Sequence, residues 1–203
     1  MPSPLINFLL GKIGILTVLA FLVWAVWPGS AAQVPAGILV RDAPVQTPAA
    51  TRPFMYGDFK IRPLADFDIT ARVLGKEIYR FDHESNVSPV DLALGWQSMS
   101  NSLVLDTIDI SQNGRFYHWH TPDFPIPRND IETQSANMHM IPSTSDIEDR
   151  LKDLPENAVV RITGYLVEVE DKKGWRWKSS LTRGDTGYGA CELIWVKTLE
   201  RIR

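Results

Sequence analysis

The run from Ile13 to Trp27 holds 15 residues without a charge, and it places whatever follows at a membrane. As a helix rising ~1.5 Å per residue it reaches about 22 Å, short of a hydrocarbon core of ~30 Å. Extending it back to Leu5 gives 23 residues and roughly 34 Å, but takes in Asn7 and Lys12. Lys12 then lies about 10 Å from the helix start, where its butyl stem can carry the ammonium back to the interface. Trp24 and Trp27 sit at the far end, suited to the headgroup layer. Residues 5–27 therefore read as a single-pass anchor in the lipid bilayer of an inner membrane. Lys12 precedes the core and residues 28–40 carry no charge, so the N-terminus is expected in the cytoplasm and the rest in the periplasm.

A secretory signal peptide is the competing reading of residues 1–27. It shares the positive start and apolar core, and Gly29-Ser30-Ala31 or Ser30-Ala31-Ala32 offers small residues for cleavage. The extended stretch exceeds the 7–15 residues usual for such a core, which favours the anchor. No cysteine follows the run, which excludes a lipoprotein anchor. Both routes export the body.

Lys12 is the only charge in the first 33 residues; the rest carries 20 basic against 24 acidic side chains, a net charge of −4. Phosphate-backbone binders concentrate basic charge, so a nucleic-acid partner is disfavoured. Cys191 is the single cysteine, which rules out an intramolecular disulfide and with it a small disulfide-stapled module.

Residues 28–53 contain five prolines and six alanines and read as a tether, roughly 80 Å long at about 3.1 Å per residue. Ile38-Leu39-Val40 interrupts the pattern as a possible short edge strand. Residues 54–203, 150 in number, suffice for one exported domain with its own core. Phe67, Ile69, Ala71 and Val73 alternate with polar residues, as in a half-buried strand. Gly75-Lys76 is expected to turn the chain into a second strand, Glu77–Phe81. Ser88-Pro89-Val90-Asp91 carries helix-start signals, predicting a helix to about Leu105 that Gly95 weakens. Arg115–His120 reads as an aromatic strand after a Gln112-Asn113-Gly114 turn. Ser145-Asp146-Ile147-Glu148 matches a capping box, with Ile147, Leu151 and Leu154 on one face of a short helix. Toward the C-terminus, Val160 and Ile162 lie on one strand face and Tyr165, Val167 and Val169 on the other, as a bulge or bend at Gly164 would produce. Asp171–Gly174 closes a hairpin into Trp175–Lys178, and Ala190–Val196 reads as a buried strand. The expected class is α+β: two helices and a curled antiparallel sheet or partial barrel, its C-terminal third like an oligonucleotide/oligosaccharide-binding barrel.

His118 and His120 share a strand face, and with His139 or Asp123 they are the candidate metal ligands. Alternating aromatic and histidine residues also suit a packed or half-exposed surface. Cys191 with His139 and Asp185 is the candidate nucleophilic set, although Leu193, Ile194, Trp195 and Val196 after Cys191 suit a buried hydrophobe. Ser179, Ser180 and Thr182 are alternative nucleophiles without a supporting motif. Arg183, Asp185 and Tyr188 of the glycine-rich loop 179–189, with Trp175 and Trp177, are the candidate binding residues, through charge, close approach and stacking. Pairing of Arg183 with Asp185, and two core indoles, are the structural alternatives. No cofactor is predicted.

Three phrases carry a resemblance: Ser88 to Trp96, Ser135 to Pro142, and Ser179 to Gly187. Over residues 85–200 the chain resembles uncharacterised bacterial membrane-anchored envelope proteins, a likeness that implies no activity. The sequence thus predicts a non-catalytic interaction or ligand-sensing domain of an envelope assembly, with envelope proteins as partners. The alternative is a periplasmic hydrolase or metal-dependent enzyme using His118, His120, His139 or Cys191.

Overall fold

Strand β3, Phe59–Ile78, is 20 residues long and is hydrogen-bonded to four other strands. The computed structural model describes residues 36–182 and 191–203, so the apolar run 5–27 lies outside the described residues. Among the described residues no helix is long and apolar enough to cross a membrane. β1 (Val45–Pro48) and β2 (Phe54–Tyr56) precede β3, and β4 (Val90–Gly95) follows it. Helix α1 (Ser102–Leu105), the hairpin β5 (Asp109–Asn113) and β6 (Phe116–His120), and α2 (Arg128–Thr133) come next. Then follow β7 (Ser135–Pro142), α3 (Ser145–Asp153), β8 (Val159–Asp171), β9 (Arg176–Lys178) and β10 (Glu192–Arg201). This is a mixed α+β fold with a large curled sheet and, among the described residues, three α-helices.

The pairing path runs β3–β4–β7–β10–β8 and returns to β3. Only β7 and β10 within that path are parallel. Ala65, Phe67, Ile69, Ala71 and Val73 of β3 meet Leu92, Leu94, Met138, Met140, Ile162, Leu166, Ile194 and Val196 in the main core. Ile147 and Leu151 of α3 and the following Leu154 are buried in the same core, each worth about 1.5–3 kcal/mol as a fully buried aliphatic chain. Thr144 rather than Ser145 caps α3, its Oγ1 accepting from Ile147 N at 3.2 Å. Lys76 Nζ donates to the carbonyls of Lys152 and Leu154 at the other end, where a cation is favoured.

Phe59, Ile61, Ile141, Val167, Val169, Leu193 and Trp195 form a second buried cluster. Two consecutive β8 residues, Leu166 and Val167, therefore bury in different cores, so the sheet changes its buried face there. The register explains how. Pro63 pairs with Val167 and Ala65 with Leu166, leaving Leu64 as an extra residue. The bulge turns β3 over, so odd positions stay apolar while switching face; unbulged β8 must change phase instead. Pro63 beside the bulge is where a strand tolerates proline. The phase flip expected at Gly164 comes instead between Leu166 and Val167, and the irregularities lie in the neighbouring strands, at Leu64 and at Lys197 of β10. A Cβ on Gly164 would collide with the Trp195 carbonyl oxygen.

Two expectations are corrected. Gly75-Lys76 does not turn the chain: β3 continues past a bulge at Leu74, and a Cβ on Gly75 would lie 2.7 Å from Gln112 Oε1. The helix expected over residues 88–105 is instead strand β4, a 3-10 turn at Gln97–Ser100 and the short α1. All six residues of β4 are buried, because the core lies on one side and the β5–β6 hairpin packs beside the other. Ser88 does not cap a helix; its Oγ donates to Met140 O at 3.0 Å. Gly95 admits the Met99 carbonyl.

Part of the proline- and alanine-rich stretch joins this unit, which spans Pro35–Arg203. Val40 is buried, its N–H donates to Ser100 Oγ at 3.0 Å, and its carbonyl accepts from Gln97 N at 2.8 Å. β1 pairs with Ala65–Asp68 of β3. Pro48 suits an edge strand that pairs on one side only.

Gly164→Ala is expected to cost at least about 3 kcal/mol, because backbone rather than a flexible side chain occupies the space. Urea unfolding monitored by tryptophan fluorescence measures it.

Candidate functional site

The outer face of β4 and β7 carries polar residues at buried positions. Asp91 pairs in register with His139, and Ala93 with Asn137. Asp91 is 0% and His139 3% exposed. A carboxylate so placed requires partners, and three side chains supply them. Arg115 Nη1 lies 3.0 Å and His139 Nδ1 2.9 Å from Asp91 Oδ1, while Asn137 Nδ2 donates to Oδ2 at 3.4 Å. The His139 contact is a close approach without the alignment of a hydrogen bond.

Arg115 reaches this carboxylate from the tip of the β5–β6 hairpin. Gly114 and Arg115 are the two turn residues, with φ of 57° and 72°. A tight hairpin with right-handed strand twist asks for this conformation at both turn positions. Glycine adopts it freely, whereas an L side chain pays roughly 1–2 kcal/mol. Its contacts hold Arg115 there. Its Nε and Nη2 grip Asp82 in a fork at 3.0 and 2.9 Å, and Nη1 also donates to Ser88 O at 2.9 Å. Its backbone N–H donates to the Tyr79 hydroxyl at 3.0 Å, and its guanidinium lies 3.8 Å from the Tyr79 ring centroid. Tyr79, Asp82 and Ser88 all belong to the loop joining β3 to β4. Asp82 also accepts from Ser85 N at 2.7 Å. One arginine thus pins the loop at three points.

Beneath the hairpin, Gln112 Nε2 donates to Asn137 Oδ1 at 2.7 Å and the Tyr117 hydroxyl lies 3.1 Å from Ser135 Oγ. Burial pushes the Tyr117 phenol up to about 12, against the opposing effect of that hydrogen bond.

The pinned loop forms one wall of a cleft of about 550 Å³ lined by Tyr56, Gly57, Asp58, Phe59, His83, Asn86, Asp171, Lys172 and Lys173. His83 Nε2 lies 3.2 Å from Asp171 Oδ2, and its ring meets the Trp175 edge with centroids 4.8 Å apart at 89°. Burial opposes ionisation of Asp171, yet the N–H groups of Trp175 and Lys173 and the neighbouring His83 hold its carboxyl below the ordinary range. Lys172 Nζ meets Asp58 Oδ1 at 2.5 Å. The floor is aromatic and the rim carries both signs of charge.

Trp175 and Trp177 are half-buried against the second cluster. Trp177 covers His139, with ring centroids 4.6 Å apart. His118 and His120 share a face as expected, but it is the exposed outer face of β6. Asp123 is exposed, and His139 is buried on β7. The candidate metal ligands are therefore not brought together. Among the described residues no three His, Cys, Asp or Glu side chains are grouped to hold a metal.

Cys191 is half-buried just before β10, two residues from Leu193, the register partner of His139. The carboxylate at His139 is Asp91; Asp185, like Arg183 and Tyr188, lies outside the described residues. Ser179 is buried, its Oγ donating to Ser180 O and accepting from Leu193 N, which ties it to backbone. Asp91, Arg115, Asp82 and His83 are not among the site residues that the sequence singles out. A lone carboxylate inside the apolar run 90–94, and an arginine directly after Asn113-Gly114, were the available signals. No protein-family model, curated protein or solved structure matches the chain.

Asp91→Asn, which leaves Arg115 and His139 without their shared anion, is expected to destabilise the protein by about 3 kcal/mol in denaturant unfolding. Asp82 gives a pH test. Burial raises its carboxyl, but hydrogen bonds from Arg115 and Ser85 and the Arg115 charge outweigh that and hold it below the ordinary range. A depressed folded-state value contributes stability that is present above the unfolded pKa of about 3.9 and lost as pH falls through the folded value. Stability measured between about pH 4 and pH 2 is expected to fall less steeply in Asp82→Asn than in the wild type.

Proposed function

We propose that this chain is a membrane-anchored, exported binding module, an interaction or ligand-sensing domain of an envelope assembly with no catalytic step of its own. Residues 5–27 hold it in the inner membrane, and the domain from residue 36 onward lies on the periplasmic side. The observation that carries the binding reading is the cleft between the β3–β4 loop and the end of β8, with Tyr56, Phe59 and His83 among its lining residues. Its volume falls within the roughly 300–1,000 Å³ common for ligand sites.

The strand order supports the same reading. Taking β3, β4, β7, β8 and β10 as strands one to five, the path runs 1-2-3-5-4 and back to 1, with strands three and five parallel and α3 between three and four. That arrangement resembles the oligonucleotide/oligosaccharide-binding barrel, in which loops one–two and four–five commonly flank the ligand. Here His83 and Asn86 come from the first of these loops, and Lys172 and Lys173 from the second. The likeness supports the location of a site and says nothing about the ligand.

The hydrolase or metal-enzyme alternative receives less support from the geometry. His139 is buried under Trp177 with Asp91 at its Nδ1, and His118 and His120 face solvent on another element.

Two measurements test the proposal. The full chain is expected to stay in the membrane fraction after alkaline carbonate extraction, at its uncleaved mass; release at a mass lacking about the first 31 residues contradicts the anchor. Tyr56→Ala and His83→Ala, each leaving the thermal midpoint within a few degrees of wild type, are expected to weaken a bound ligand about tenfold or more in calorimetry. Unchanged affinity in both contradicts the cleft as the site.

A further inference from the structure

Phe81 is 99% exposed, the most exposed large apolar side chain among the described residues. Its neighbour Asp82 is held in the Arg115 fork, and His83 lines the cleft. Two residues of chain place the Phe81 and His83 Cα atoms no more than about 7 Å apart. Phe81 is thus two residues along the chain from a cleft residue, on backbone that the neighbouring Asp82 holds in place. Ordering costs paid before binding are what make an aromatic residue an effective anchor.

We infer that the ligand of this cleft is a polypeptide segment, whose apolar side chain covers Phe81 while its backbone lies along the rim. The inference rests on the binding-module reading above. Three features select this class. A ring standing wholly in water gains from a ligand with apolar bulk beyond the cleft, which a peptide side chain supplies. The rim carries both signs of charge and an amide, with Asp58 paired to Lys172 and Asp171 to His83 beside Asn86 and Lys173, a mixed set that suits a peptide's N–H and C=O groups better than a single-sign polymer. A polyanionic strand would instead meet Asp58 and Asp171 on a body of net charge −4. Aromatic residues at the centre with charges at the edge is also how protein-binding surfaces are composed.

The test uses the full chain in lipid nanodiscs against three defined probes: a phage-displayed library of random short peptides, a panel of soluble glycan oligomers, and single-stranded oligonucleotides. The expected result is a selected peptide with apolar side chains whose affinity falls about tenfold or more in Phe81→Ser and in Tyr56→Ala. Phe81 has no packing to lose, so that variant tests binding rather than folding. Failure to select a peptide, or peptide binding indifferent to both substitutions, overturns the inference. Glycan or oligonucleotide binding that needs Tyr56 and His83 but ignores Phe81 also overturns it, while leaving the cleft a binding site. If no probe class responds to any cleft substitution, both the inference and the binding-module reading fall.

Discussion

The bulge at Leu64 is the constraint on which the rest of the architecture depends. A strand of 20 residues is too long to bury one face of a small curled sheet from end to end. The extra residue lets β3 serve the main core with Ala65, Phe67, Ile69, Ala71 and Val73, and the second cluster with Phe59 and Ile61. β8 follows without a bulge and must supply apolar residues at both Leu166 and Val167. Where the strands cross over, Gly164 lets the Trp195 backbone approach. The change of buried face, and with it the second cluster and the place of Phe59 beside the cleft, follows from that irregularity.

A second constraint is electrostatic. Asp91 lies fully inside the protein, and its partners come from two separate parts of the chain: His139 and Asn137 from β7, Arg115 from the β5–β6 hairpin. Because Arg115 also holds Tyr79, Asp82 and Ser88, satisfying the buried carboxylate orders the loop that carries Phe81 and His83. A buried charge of this kind often adds little net stability. Its value here lies in fixing geometry, since the loop between β3 and β4 has few apolar contacts of its own apart from Val87.

Elements whose local pattern agrees with their surroundings were readable from the sequence. Residues 67–73 alternate because one face meets the core, α3 carries Ile147, Leu151 and Leu154 at helical spacing, and Asp171–Gly174 makes the turn its residues suggest. Residues 88–105 were misread because β4 is covered on both faces, which erases alternation, and because Ser88, Pro89 and Asp91 imitate a helix start. The two bulges in β3 were also hidden: Leu64 preserves odd-position periodicity while changing face, and Gly75 looks like a turn residue. Residues 36–53 have a linker's composition, yet Val40 docks into the core through Ser100, a contact 60 residues away in sequence. Of the residues singled out in the sequence, Trp175, Trp177 and His139 lie near the Asp91 network and the cleft, in packing positions rather than the roles expected of them. Arg115 and Asp91 matter through each other, and no local spacing connects positions 24 apart.

Amide hydrogen exchange of residues 79–89 in wild type and in Arg115→Gln tests whether one buried ion-pair network holds the β3–β4 loop in place. Protection is expected at Ser85, Val87 and Ser88 in the wild type, lost by at least about tenfold in the variant, with β8 and β10 unchanged. Equal exchange at those three amides in both proteins would contradict it.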